Sequence, residues 1–267
     1  MNAPVKIETI IAMAKSPLFA ENNDFENLRN KLDQVCSQVA QRFNLYSSNG
    51  KPRKATIIAV IAKSACLACI AKKLSAQHTS NQVDAMYTEV HRLAVNVLVE
   101  ELYNFLKGRG YNVMISTETQ LEYGKADVTI TITRYGINLK CNANELLVEV
   151  KTGNSFSLCQ LFRYLMDKRS NTIFAWRVRR RQILVFETES IKPLLMEFMR
   201  IVCLRGTRLL SSPQPTCRHT PRPDYQPTQE ALQKMFQDFA EALVETLPYI
   251  LEAITEKLGN DSSEVKP

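Results

Sequence analysis

The residues best suited to chemistry lie in two short apolar stretches, Gly124-Lys125-Ala126-Asp127-Val128-Thr129-Ile130-Thr131-Ile132 and Leu146-Leu147-Val148-Glu149-Val150-Lys151. Both alternate like strands, where i and i+2 share a face. Asp127 then sides with Thr129 and Thr131, Glu149 sides with Lys151, and Leu146, Val148 and Val150 turn to a core. Paired as a hairpin, the strands bring Asp127, Glu149 and Lys151 to one polar face. Two neighbouring carboxylates repel unless a cation lies between them or one keeps its proton. The simplest cation is Mg²⁺ or Mn²⁺, a hard ion that takes one or two carboxylates, a backbone carbonyl such as that of Val150, and several waters. Such an ion acidifies a bound water and stabilises charge on a phosphate. Lys151 is then a point charge that orients the water or stabilises pentavalent phosphorus. The plainer alternative is a solvated sheet face on which Glu149 and Lys151 are an exposed pair.

Elements on either side must position these residues. Phe25, Leu28, Leu32, Val35 and Val39 mark an amphipathic helix over 24–43, ended by Ser47-Ser48-Asn49-Gly50. Residues 55–71 are apolar apart from Lys63 and Ser64. They read as a buried helix, since a bilayer span needs about 20 residues and this run carries a lysine at its middle. Val83 to Leu106 repeats at helical spacing and stops at Gly108 and Gly110. Strands are expected over 111–116, 127–133 and 145–151, a helix over 157–169, strands over 171–178 and 182–186, and a helix over 191–204. This order predicts an α/β fold with a mixed sheet. Pro213, Pro215, Pro221, Pro223 and Pro227 mark a linker over 205–228. The final helix is amphipathic through Leu232, Phe236, Phe239, Leu243 and Leu247, with Pro248 expected to kink or end it.

Asp, then Glu-x-Lys on successive strands, resembles the PD-(D/E)xK nuclease superfamily. Gly124-Lys125-Ala126-Asp127 matches the GxxD of its RecB-like branch, and Gln160 with Tyr164 matches QxxxY; Ala126 stands where the superfamily name has proline. The stretch from Glu101 to Lys151 is also similar in layout to archaeal Holliday-junction resolvases. The likeness covers roughly 83–186. It implies a restriction-endonuclease-like αβββαβ core over 81–204, to which apolar spacing and charge add an N-terminal helical region over 1–80 and an acidic helical tail over 229–267. It further implies metal-dependent hydrolysis of DNA. Asp127 and Glu149 would be metal ligands, Lys151 and Gln160 catalytic, and Tyr164 a support. Glu-x-Lys alone carries little, since Glu264-Val265-Lys266 repeats it in a polar tail. The family usually adds an acid or histidine from the first helix. At about 100° per residue, Glu101 falls near the centre of the stripe of Val83, Val90, Ala94, Val97 and Phe105, and His91 is the other candidate. Glu118 and Glu122 read as loop residues.

The 267-residue chain is 45% hydrophobic and 23% charged, which excludes a disordered or collagen-like protein. From Asp224 onward nine acids face three lysines, so that tail is −6 and, with the whole chain at +7, residues 1–223 carry +13. A basic body suits a polyanion such as DNA. Arg163, Lys168, Arg169, Arg177, Arg179, Arg180 and Arg181 are the expected phosphate contacts. The acidic tail could fold back on the body, form a homodimer seam or dock a protein. Seven cysteines without a dense framework, and no apolar leader after Met1-Asn2-Ala3-Pro4, suggest a reducing cytoplasm. Cys66 and Cys69 lack two further ligands at a matching spacing, so no iron–sulfur cluster or zinc is expected. The competing reading is a non-catalytic nucleic-acid-binding or protein-interaction module on a nuclease-like fold.

Overall fold

A computed structural model describes residues 25–64, 66–75, 82–132, 145–153, 157–167, 172–212 and 228–263. The elements are α1 (Phe25–Phe43), α2 (Lys54–Lys63), α3 (Leu67–Ser75), α4 (Gln82–Gly108), β1 (Val113–Leu121), β2 (Gly124–Ile132), β3 (Glu145–Lys151), α5 (Leu158–Leu165), β4 (Thr172–Arg177), β5 (Gln182–Glu187), α6 (Thr188–Ser211) and α7 (Gln229–Ser263). A 3-10 turn, Val178–Arg180, joins β4 to β5.

The five strands form one sheet in the order β1-β2-β3-β4-β5. Neighbours run antiparallel except β3 and β4, which are parallel and joined through α5. A parallel pair needs such a crossover and is normally covered on both faces. The sequences agree, because β3 and β4 are buried along nearly their whole length. One core packs α4 and α7 against Val128, Ile130, Leu146, Val148, Val150, Phe174 and Trp176. The other packs α1, α2, α3, α5 and α6 against Ala126, Leu147 and Ile173. The solvated-face alternative is therefore overturned, since Glu149 is only 4% exposed.

The helices depart from the sequence expectations at three places. The apolar run 55–71 breaks between α2 and α3, where Ser64 is extended; among the described residues no helix is long and apolar enough to cross a membrane. Helix α6 continues seven residues past Leu204, because Leu209 packs into the same core as Val35 and Ile61. Close contact requires Gly206, where a Cβ would lie 2.3 Å from Val35 Cγ1. Pro248 does not end α7, which runs on to Ser263. The amide it lacks would have served the carbonyl of Val244, and Val244 is 75% exposed, so water can satisfy that group.

Helix α7 folds back on the body. Phe239, Leu243, Ile250, Leu251, Ile254 and Leu258 are buried against the sheet and α4. The Trp176 indole N–H donates to Thr246 Oγ1 at 2.9 Å in the same interior.

Candidate active site

The site forms where the β2–β3 ladder stops. Pairing runs from Thr131 opposite Glu145 to Val128 opposite Val148, so Asp127 and Glu149 occupy the next positions in register. The β1–β2 ladder also skips Asp127, and Glu118 across from it has left-handed backbone, φ 54°. Strand β2 rolls over here. Ala126 packs in the core under α5 whereas Val128 packs in the core under α4, although two such residues share a face in a regular strand. Asp127 thus does not simply continue the row of Thr129 and Thr131; it sits at the point where the strand turns over.

That position lets its carboxylate serve two elements. Oδ2 accepts the backbone N–H of Val150 at 2.7 Å, replacing a ladder partner that the splayed strands no longer provide. Oδ1 lies 3.1 Å from His91 Nε2 on α4. The hydrogen bond to Asp127 raises the imidazole pKa, and burial only partly offsets it.

Glu149 is bound from the other side. Gln160 Nε2 donates to its Oε1 at 2.5 Å and to the Tyr164 hydroxyl at 2.7 Å. Tyr164 in turn donates to the Lys125 carbonyl at 2.6 Å. Lys151 Nζ donates to Glu149 Oε1 and, at 2.6 Å, to Gln160 Oε1. The i, i+4 spacing on α5 puts Gln160 and Tyr164 on one face. Gly124 makes room for them, because a Cβ there would meet Tyr164 Cε1 at 2.6 Å.

The other oxygen, Glu149 Oε2, is buried with no hydrogen-bond partner. Burial, then the charge of Asp127, pushes the Glu149 carboxyl up to about 7, against the pull of Lys151. Beyond the Lys151 ammonium, a carboxylate in that setting favours a proton or a second cation. Among the described residues no three His, Cys, Asp or Glu side chains form a metal cage. Mg²⁺ seldom uses one, since it binds through one or two carboxylates and keeps several waters. The orphaned oxygen beside Asp127 fits that class of ion and not a closed zinc site.

Of the residues expected at the site, Asp127, Glu149, Val150, Lys151, Gln160 and Tyr164 are brought together. Glu101 is not. The buried stripe of α4 is Ala94, Val95, Leu98, Leu102 and Leu106, and Glu101 is exposed. At about 100° per residue His91 lies at the centre of that stripe and Glu101 roughly 90° away. Ten residues of helix also separate them by about 15 Å. The apolar set with Val83, Val97 and Phe105 centres the stripe near Glu101, whereas the buried set with Leu98 and Leu102 centres it near His91.

Nor do the arginines act as one patch. Arg163 is turned inward, donating to Ala55 O at 3.0 Å and Tyr123 O at 3.4 Å. Arg181 Nε donates to Glu245 Oε2 at 2.5 Å, and Arg179 lies 3.9 Å from Asp238. Lys168 and Arg169 lie outside the described residues. Glu118 is on β1 and pairs with Lys125 at 2.8 Å. Glu122 joins Arg29 and Lys54 away from the site.

Comparison with family models, with curated proteins and with solved structures finds no match to this chain in any of the three.

Proposed function

We propose that this protein is a divalent-metal-dependent nuclease that hydrolyses DNA phosphodiester bonds on a restriction-endonuclease-like αβββαβ core. The observation that carries this reading is the convergence of Asp127, Glu149 and Lys151 at the end of the β2–β3 ladder, with one glutamate oxygen buried and unsatisfied. Asp127, Glu149 and the Val150 carbonyl would hold Mg²⁺ or Mn²⁺. When bound, that ion lowers the pKa of a water and stabilises charge on the phosphate.

The chain's own groups account for the rest. Gln160 fixes Lys151 and Glu149 relative to each other, and Tyr164 fixes Gln160. Lys151 presents a positive charge to the phosphate oxygens as the water oxygen attacks phosphorus and releases its proton to solvent. The bond from phosphorus to the departing oxygen breaks, and that oxygen takes up a proton from solvent. His91 holds Asp127 from the α4 side, which limits its rotation.

The test is cleavage of labelled single-stranded, duplex and branched DNA with Mg²⁺ or Mn²⁺. Lys151→Ala and Asp127→Ala are each expected to lower the rate at least about 10²-fold, with the circular dichroism spectrum unchanged. Full activity in either variant overturns the assignment. One observation favours the non-catalytic module instead: Lys151, Glu149 and Gln160 already close a ring of hydrogen bonds among themselves. DNA binding without cleavage of any form, in either metal, selects that reading.

A further inference from the structure

Residues 25–75 hold nine lysines and arginines against two acids, a net +7 that equals the charge of the whole chain. Part of it is answered within the fold. Arg29 and Lys54 bind Glu122, and Lys54 also meets Asp33 at 2.8 Å. Arg53 and Lys63, at the two ends of α2, are exposed, and among the described residues no carboxylate pairs with either. At about 100° per residue Arg53, Thr56 and Lys63 share one face of the helix, with half-buried Val60 among them. Ile57, Ile58 and Ile61 cover the opposite face and are buried. The two cations stand about 15 Å apart along the helix.

Arg53 does not serve the helix it precedes. It occupies the N-cap, where Ser, Thr, Asp or Asn is preferred, yet it makes no side-chain cap hydrogen bond and no acid follows in the first turn. A cation at that end opposes the helix dipole. Residues that break a local rule with no gain to the fold mark functional places. Helix α2 is also laid along the site. Arg163 of α5 donates to the Ala55 carbonyl at the start of α2. Burial raises the Cys159 thiol pKa, and the charges of Arg163 and Lys63 pull against it, so the end of α2 lies beside Cys159. The two helices therefore run antiparallel, and Lys63 stands at the end of α5 that carries Gln160.

We infer that the exposed face of α2, through Arg53 and Lys63, binds the phosphate backbone of DNA next to the site at Lys151 and Gln160. Charge identifies the occupant: the face is cationic, carries the Thr56 hydroxyl between its two charges, and α2 holds no acid to repel a polyanion. Contacts of this kind place a strand without reading its sequence. The inference rests on the nucleic-acid reading above and adds the path of the strand, from Lys151 over the start of α5 and along α2.

The test uses the full chain in EDTA, so that binding is read without cleavage. The probe is a fluorescein-labelled DNA duplex titrated at several salt concentrations. Arg53→Ser installs a preferred cap, so its urea midpoint is expected to equal or exceed that of the wild type. Its duplex affinity nevertheless falls roughly tenfold, and the slope of log affinity against log salt becomes shallower by about 0.9. Lys63→Gln gives the same slope loss, and Lys63→Arg keeps the wild-type slope. Lys234→Gln removes one exposed positive charge from α7 and also keeps it. An unchanged slope in either Arg53→Ser or Lys63→Gln overturns the inference, as does an equal loss in Lys234→Gln. Absence of any binding by the wild-type chain does so too, whatever the cleavage assay shows. Binding with this pattern but no cleavage in Mg²⁺ or Mn²⁺ supports the inference and removes the nuclease; cleavage without this pattern does the reverse.

Discussion

Under α4 and α7 the sheet presents apolar side chains near the end that carries Asp127 and Glu149, with Val148, Val150, Phe174 and Trp176 among them. Under α5 the same strands present Leu147 and then Glu149 and Lys151, joined to Gln160 and Tyr164. Both faces are buried, so burial does not distinguish them. Charge does. The first face gains from every apolar atom removed from water. The second carries a glutamate whose burial is unfavourable unless a partner offsets it. An apolar core lies on each side of the sheet, and the buried carboxylate lies on one side only, one layer of backbone away from the other core.

The largest test of that division is Trp176→Ala, expected to destabilise the protein by about 3–5 kcal/mol, read as a shift in the urea midpoint. A shift below about 1 kcal/mol would mean that α7 and the sheet do not share the core described. Next is Gly124→Ala, on the reactive side. Its Cβ would strike the Tyr164 ring, with an expected loss of about 1–3 kcal/mol and a Gln160 released from its hydroxyl partner. Cleavage should fall further than stability does; a variant with unchanged activity argues that Tyr164 does not hold Gln160 in place. Thr246→Val removes the acceptor of the Trp176 indole N–H and should cost about 1–2 kcal/mol with the per-molecule cleavage rate unchanged. An activity loss there would break the separation of the two faces.

The smallest expected effect lies away from both. Burial alone pushes the Glu122 carboxyl up, but hydrogen bonds from Lys54 and Arg29 outweigh it and hold it below its ordinary value. Its folded-state pKa is therefore depressed. The stabilisation is present at neutral pH and lost as pH falls through the folded value. With Glu122 a third exposed, the effect should stay under about 1 kcal/mol. Glu122→Gln should narrow the gap between urea midpoints at about pH 7 and about pH 4. An unchanged gap assigns the acid sensitivity to other carboxylates.

Much of this arrangement was legible in the residues, and for a physical reason. The alternation of Glu145–Lys151 and its bounds follow from side-chain period, and the helix order follows from apolar spacing; both are local properties. The adjacency of Asp127 and Glu149 needed only the assumption that successive strands pair. The roll of β2 at Asp127 was not legible, because it depends on two cores pulling Ala126 and Val128 in opposite directions. Glu149 reads as a surface residue by composition, and only the helices on both faces make it buried. The choice of His91 over Glu101 depended on which residues of α4 meet the sheet. The arginines of the β4–β5 turn look equivalent in sequence, and only the fold shows that Arg179 and Arg181 meet acids of α7.

Trp176 is the chain's sole tryptophan, fully buried and tethered to the last helix through Thr246. Its ultraviolet emission therefore responds to the seating of that helix. A red shift at denaturant levels too low to change the far-ultraviolet spectrum would reveal the terminal helix detaching before the rest melts, with no label attached.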